Sequence, residues 1–147
     1  MIPKSLKRAF TLVEMLLVIA IISILAGLVI SNISNAAHDT RDVVARQQLA
    51  VVQEAVNHWV NREIGRVNSA GATGASVNQV MATYNAASTA SARYALFQNY
   101  LDDATRDNFT VDNTTAKITS QAMRDVNKYL TLPNWAASSY PKVQLQP

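Results

Sequence analysis

The 147-residue chain contains no cysteine, and its few prolines and glycines are unevenly spread. The absence of cysteine excludes disulfides, thiolate metal sites and cysteine nucleophiles. No proline occurs between Pro3 and Pro133, and Gly27 is the only glycine before Gly65. Because proline and glycine are the residues that most strongly interrupt helices, this composition favours a long helix in the first half of the chain.

Charged residues are also scarce in one segment. Residues 10–30 form an apolar run in which Glu14 is the only charged residue. About twenty apolar residues suffice to cross a bilayer as a helix, and a single segment in lipid can satisfy its backbone groups only as a helix. We therefore expect residues 10–30 to form a transmembrane helix with one acid near its start.

The net charge of +3 does not describe the body of the chain. Lys4, Lys7 and Arg8 precede the apolar run, and from residue 10 onward ten basic side chains are balanced by ten acidic ones. A nucleic-acid surface needs clustered Lys and Arg on the folded part, so DNA binding is not indicated. Under the positive-inside rule the basic start stays cytoplasmic, which predicts a single pass with the rest of the chain outside the cytoplasm.

The basic start followed by an apolar run is also typical of a secretory signal. Such a signal has an apolar core of about 7 to 15 residues and then a cleavage site with small residues. Ser34-Asn35-Ala36 is such a site, and cleavage before Ala37 would release a secreted binding module. Against this interpretation, the apolar run is longer than a typical core and contains a carboxylate that a discarded signal does not need.

A second interpretation rests on residues 7–14, Lys-Arg-Ala-Phe-Thr-Leu-Val-Glu, which are followed by Met-Leu-Leu-Val-Ile-Ala-Ile-Ile. This segment closely resembles the amino terminus of type IV pilins and of the pseudopilins of type II secretion systems. The resemblance implies that a prepilin peptidase cuts between Ala9 and Phe10 and methylates the new amine of Phe10, while the helix remains on the mature protein. The family usually has Gly before the cut, where this chain has Ala9.

The resemblance also implies a role for Glu14 in assembly. A charged acid in a transmembrane helix costs about 2.5 to 3.5 kcal/mol on insertion scales, and such residues usually face a partner. The implied partner is the amine of Phe10 on a neighbouring subunit, so that Glu14 sets the register of a filament. For a free subunit in the membrane, the alternative is that the acid is hydrated at the level of the lipid headgroups.

The apolar helix is expected to continue as an amphipathic helix over residues 31–66, with residues 31–35 as its weakest part. Asp42 and Arg46 are spaced to form an i,i+4 ion pair. Trp59 is expected to fill the core rather than to contact a ligand. Apolar residues that recur at helical intervals should pack on the head: Val44, either Val51 or Val52, Ala55, Val56, Trp59, Val60 and Ile64.

Residues 67–147 are expected to form a globular head, which gives an α+β, pilin-like fold after a leader of residues 1–9. Its expected elements are helices at 77–85, 92–101 and 121–129, a hairpin with strands 109–111 and 116–119, and a strand at 143–145. Type IV pilins usually place a four-stranded antiparallel sheet against the helix. The sparse strand patterns here predict a small sheet that is poorer in strand than this family norm.

One acidic cluster in the head is a weak calcium candidate, formed by Asp102, Asp103, Asp107 and Asp112. Calcium takes about six to eight oxygen ligands, but the spacing matches no EF-hand loop, so a solvated acidic loop is favoured and no cofactor is expected. The chain has no phosphate-binding Gly-rich loop, no nucleophile elbow and no His-Glu-x-x-His motif. We therefore expect a protein that is not an enzyme.

Together these patterns predict a structural subunit that is stored in the bacterial inner membrane and assembled through its amino-terminal helix. Its expected partners are copies of itself or related pilin-like subunits, a prepilin peptidase, and an assembly platform with its ATPase. The expected destination is a type IV pilus or a secretion pseudopilus, and the sequence leaves that choice open. The alternative is a secreted or membrane-anchored binding module.

Overall fold

The computed structural model describes residues 10–65, 74–136 and 139–147, apart from the side chains at positions 31, 32, 34 and 35. The expected leader, residue 66 of the expected amphipathic helix and residues 67–73 of the expected head lie outside the described residues. The chain divides into two compact units, Met1–Ala37 and His38–Pro147.

The first element, α1, is a helix of 54 residues, Leu12–Gly65. It confirms the predicted long helix, and the backbone at residues 31–35 is helical like the rest. In the second unit one face of α1 is buried. Five predicted residues are buried on it: Val52, Ala55, Val56, Trp59 and Val60. Ala45, which was not predicted, is buried as well, and the predicted Val44 is partly buried. Val51 and Ile64 are partly buried against the same core.

Within the described ranges four shorter α-helices follow: α2 (Val77–Ala86), α3 (Ala90–Phe97), which continues into a 3-10 turn at Gln98–Tyr100, α4 (Asp103–Asp107) and α5 (Gln121–Asp125). Each begins after a residue whose side-chain oxygen accepts a backbone N–H of the first turn: Ser76, Thr89, Asp102 and Ser120. Such caps satisfy amide groups that have no partner within the helix. The capping by Ser120 was predicted, and α2 and α3 lie close to their predicted positions.

The sheet has four antiparallel strands in the order β1-β2-β3-β4, each of three residues. They are β1 (Thr110–Asp112), β2 (Lys117–Thr119), β3 (Tyr129–Thr131) and β4 (Gln144–Gln146). The predicted hairpin is β1-β2, and the predicted last strand is β4, shifted by one residue. Because side chains alternate across a sheet, the central residues Ile118 and Leu130 point into the core, where both are fully buried.

The predicted helix at 121–129 was wrong in its second half: α5 ends at Asp125, and Tyr129 begins a strand, β3, that was not predicted. Asn127 has a φ of 55° and ends the helix. The N–H groups of Asn127 and Lys128 donate to the carbonyls of Arg124 and Met123, at 3.1 and 2.8 Å, which is the Schellman pattern of helix termination. The chain then turns into β3, so the sheet has four strands, and it is small as expected because each strand has three residues.

The core of the second unit lies between α1, the shorter helices and the inner face of the sheet. Its largest fully buried side chains include Tyr84, Phe97, Ile118, Met123 and Leu130. Trp59 is 5% exposed and its ring centroid lies 6.1 Å from that of Tyr84, which confirms its predicted place in the core.

Candidate assembly site

The segment Leu12–Ile30 of α1 is long and apolar enough to cross a membrane, with a mean hydropathy of 2.8, and none of it is buried within the structure. Its large side chains are solvent-exposed; Leu12 and Ile24, for example, are 76% and 68% exposed. A soluble monomer rarely exposes an apolar surface of this extent. The segment therefore offers a surface that lipid or other helices would cover.

Glu14 lies in the first turn of this helix and is bound by Thr11. The N–H and the hydroxyl of Thr11 donate to Oε2 of Glu14, at 2.8 and 2.9 Å, and the N–H of Glu14 donates to Oγ1 of Thr11 at 3.2 Å. This reciprocal arrangement is a capping box. A carboxylate at this position also interacts favourably with the positive end of the helix dipole.

The capping box was missed in the sequence analysis, although Thr-x-x-Glu before an apolar run is its usual sequence pattern. It adds a second role to a residue that was predicted to act only between subunits. Both Thr11 groups donate to Oε2, and Oε1 has no hydrogen-bond partner among the described residues. One carboxylate oxygen is thus used within the helix and the other is open to a further donor.

Phe10 directly precedes the capping residue and its side chain is 75% exposed. It lies before the first residue of α1, in backbone without regular structure. Ala9, on the other side of the predicted cut, lies outside the described residues. Cleavage and methylation at Phe10 stay predictions.

The four calcium candidates each have their own contacts. Asp102 accepts the N–H of Thr105 at 2.9 Å as the cap of α4, and Asp112 accepts the N–H of Thr114 at 2.8 Å and the hydroxyl of Thr115 at 2.6 Å. These hydrogen bonds, those from Thr105 and Thr115 first, hold the pKa values of Asp102 and Asp112 below their usual range.

The other two candidates, Asp103 and Asp107, lie 2.8 and 3.8 Å from the guanidinium of Arg106. Within the described ranges, no group of three or more His, Cys, Asp and Glu side chains is arranged to hold a metal ion. The structure thus places the four carboxylates in a capped and ion-paired surface region, and calcium binding stays a prediction with weak support.

Comparison with known proteins identifies the amino-terminal segment. Residues 4–30 match the family described as the prokaryotic N-terminal methylation motif, which is the prepilin-type signature of type IV pilins and pseudopilins. No curated protein and no solved structure matches the chain. The resemblance inferred from the sequence is confirmed over these residues.

The matched motif supports a type IV pilin-like or pseudopilin subunit in general. It points to a structural subunit rather than an enzyme, and it suggests pilin subunits and a prepilin peptidase as partners. Together with the exposed apolar helix, it also suggests membrane anchoring and pilus assembly.

Proposed function

We propose that the chain is a structural subunit of a helical filament, a type IV pilus or a type II secretion pseudopilus, built from subunits held in the bacterial inner membrane. The observation that carries this proposal is that the methylation motif at residues 4–30 coincides with a helix whose apolar surface is uncovered. In a filament, residues 10–30 of neighbouring subunits cover one another in a central bundle. The second unit, with its own core, faces away from the cytoplasm.

Prepilin peptidase prepares the subunit by cutting between Ala9 and Phe10. The cut creates an amine on Phe10, four residues before Glu14, and an α-amino group has a pKa near about 8. The amine is therefore a cation at neutral pH, and it remains one after methylation. The position of Phe10 before the helix start keeps this cation at the end of α1.

The contacts of Glu14 suggest how one carboxylate serves both the free and the assembled subunit. In the free subunit, Thr11 donates two hydrogen bonds to Oε2, which lowers the cost of holding a charge at the membrane. In the filament, Oε1 accepts the Phe10 amine of a neighbouring subunit while Thr11 keeps Oε2. Removing one partner of a buried ion pair typically costs about 3 to 5 kcal/mol, so each mispaired subunit is strongly disfavoured.

The processing step is tested by mass spectrometry of the mature protein. A mature chain that begins with methylated Phe10 is the expected result. A chain that begins at Ala37 would instead support the secreted binding module and would remove the assembly helix from the working protein.

The role of the charge is tested by three substitutions with filament yield as the readout. Glu14→Gln retains a side chain that completes a capping box but removes the charge, so it should lose filaments while the subunit still accumulates in the membrane. Thr11→Val removes the cap and keeps the charge, so it should still assemble. Glu54→Gln, at an exposed glutamate of the second unit, is the matched control and should assemble normally. Normal filament yield from Glu14→Gln would contradict the proposal.

A further inference from the structure

The outer face of the sheet carries a cavity of about 320 Å³ lined by cations. Lys117, Thr119 and Tyr129 contribute from β2 and β3, on the face opposite the buried Ile118 and Leu130. The remaining lining residues include Arg124 of α5 and Lys128 of the turn that follows it. We call this site the basic pocket.

Two of its cations have no carboxylate partner in the part of the chain that the structure describes. Lys128 is neutralised by Asp42, and the nearby Asp125 is paired with Arg41 at 3.1 Å. Among the described residues, no carboxylate lies within 4.0 Å of the charged nitrogens of Lys117 or Arg124. Lys117 and Arg124 are therefore the two cations of the basic pocket that are not ion-paired within the described part of the chain.

Both unpaired cations are nevertheless held in place. The Lys117 ammonium lies 3.9 Å from the centroid of the Tyr129 ring, an attractive cation–π geometry. Arg124 donates to Oε1 of Gln121 at 2.9 Å and to Oγ1 of Thr119 at 3.5 Å. Asp112, which lies opposite Lys117 in the strand pairing, is bound by Thr114 and Thr115. The cations are thus ordered in advance of any ligand, which reduces the entropy that binding would cost.

The same chain carries a surface of opposite charge on α4. Asp102, Asp103 and Asp107 are exposed there, and Arg106 is the single cation among them. The side chains of Asp103 and Asp107 are 86% and 77% exposed. From residue 10 onward the chain has equal numbers of acidic and basic side chains and no net charge. The basic pocket and α4 are thus two surfaces of opposite charge on a chain that is neutral as a whole.

We propose that the basic pocket of one subunit receives the acidic helix α4 of a neighbouring subunit. The pocket and α4 are different surfaces, so their contact is heterologous, and contacts of this kind produce open helical assemblies when they do not close into a ring. Exposed ion pairs are individually weak, but they set orientation and exclude wrong partners. Weak ion pairs are sufficient in this case because the filament already holds neighbouring subunits side by side, at a high effective concentration. The inference thus rests on the proposed filament function.

The contact is tested first by cross-linking, because the natural chain has no cysteine. Full-length subunits with Thr119→Cys in the pocket and subunits with Ala104→Cys on α4 are co-expressed and oxidised. Disulfide-linked dimers should form in filaments of this pair. Thr119→Cys with Ala82→Cys, an exposed position on α2, is the matched control and should give none above background. Filaments without the 119–104 cross-link would overturn the inference.

Charge reversal supplies an independent test in the full-length chain. Lys117→Glu with Arg124→Glu should lose most filaments, and so should Asp103→Lys with Asp107→Lys, while each variant still accumulates in the membrane. Combining all four substitutions in one chain restores opposite charges and should recover filaments. If the first pair leaves filament yield unchanged, or the combination recovers nothing, the inference is wrong.

Two further outcomes would overturn it. If filaments form without the cross-link and the basic pocket instead retains a polyanion such as single-stranded DNA, lost on Lys117→Glu, the occupant is not a second copy. If the unsubstituted chain forms no filaments at all, the proposed function fails and this contact fails with it. The two failures can be told apart, because in this one the wild-type subunit forms no filaments, whereas in the others it does.

Discussion

Ala116→Gly should stabilise the second unit, because Ala116 occupies a backbone conformation that suits glycine. It has a φ of 54° in the exposed turn between β1 and β2. In the left-handed region an L side chain costs roughly 1 to 2 kcal/mol, and removing the Cβ relieves that strain. Against this, glycine gives the unfolded chain more conformational freedom, which costs about 0.4 to 1 kcal/mol. The net expectation is a gain in the free energy of unfolding that lies between about 0 and 1.6 kcal/mol, with a central value of about 0.8 kcal/mol.

The matched control is Ala82→Gly, the same chemical change at an exposed position inside α2. There the backbone is helical, and glycine in place of alanine should cost about 1 kcal/mol. Both variants can be measured in detergent by urea unfolding, followed through the fluorescence of Trp59 and Trp135, which are 5% and 4% exposed. The two substitutions should move the midpoint in opposite directions. A loss of stability in Ala116→Gly comparable to that in Ala82→Gly would refute the turn geometry.

Two titrating side chains give predictions of opposite sign in pH. Hydrogen bonds from Lys128 and then Arg46 hold the pKa of Asp42 below its usual range, so its stabilisation is present above about pH 4 and is lost as pH falls through the folded value. Asp42→Asn should therefore be less stable at neutral pH and show a flatter decline in acid, and an unchanged acid profile would contradict the ion pairs. Burial raises the pKa of Tyr84 to about 12, so stability should fall as pH rises from about 10 to 12, by at most roughly 3 kcal/mol. In Tyr84→Phe, the part of the stability loss between about pH 10 and 12 that comes from Tyr84 should disappear. If the free energy of unfolding of the variant instead changes with pH in parallel with that of the wild type, Tyr84 has the same pKa in the folded and unfolded states.

The sequence predicted the elements whose cause is local. The apolar run and the lack of proline give α1, and the apolar spacing gives its buried face. Ser120 caps α5 as expected, since capping depends on a residue and the first turn after it. The capping box of Thr11 and Glu14 has the same local origin and was open to prediction.

The missed features depend on conformation or on distant contacts. Asn127 ends α5 by adopting positive φ, which asparagine tolerates but does not require, so the pattern through Tyr129 resembled a continuing helix. The pairing of Asp42 with Lys128 joins residues 86 positions apart. The basic pocket also depends on the folded structure, because Lys117, Arg124 and Lys128 come together around it only when the sheet and α5 have formed.

The exposed apolar segment of α1 also makes it costly for a single molecule to leave the membrane and pass through water. Burying a Val, Leu, Ile, Phe or Met side chain is worth about 1.5 to 3 kcal/mol, and more than a dozen such residues are exposed between Phe10 and Ile33. Passage of a lone molecule through water would therefore require an energy of roughly 20 kcal/mol or more. In the proposed filament, growth and dismantling would therefore take place at the bilayer itself, with each molecule exchanging fatty acyl chains for neighbouring helices in one continuous movement.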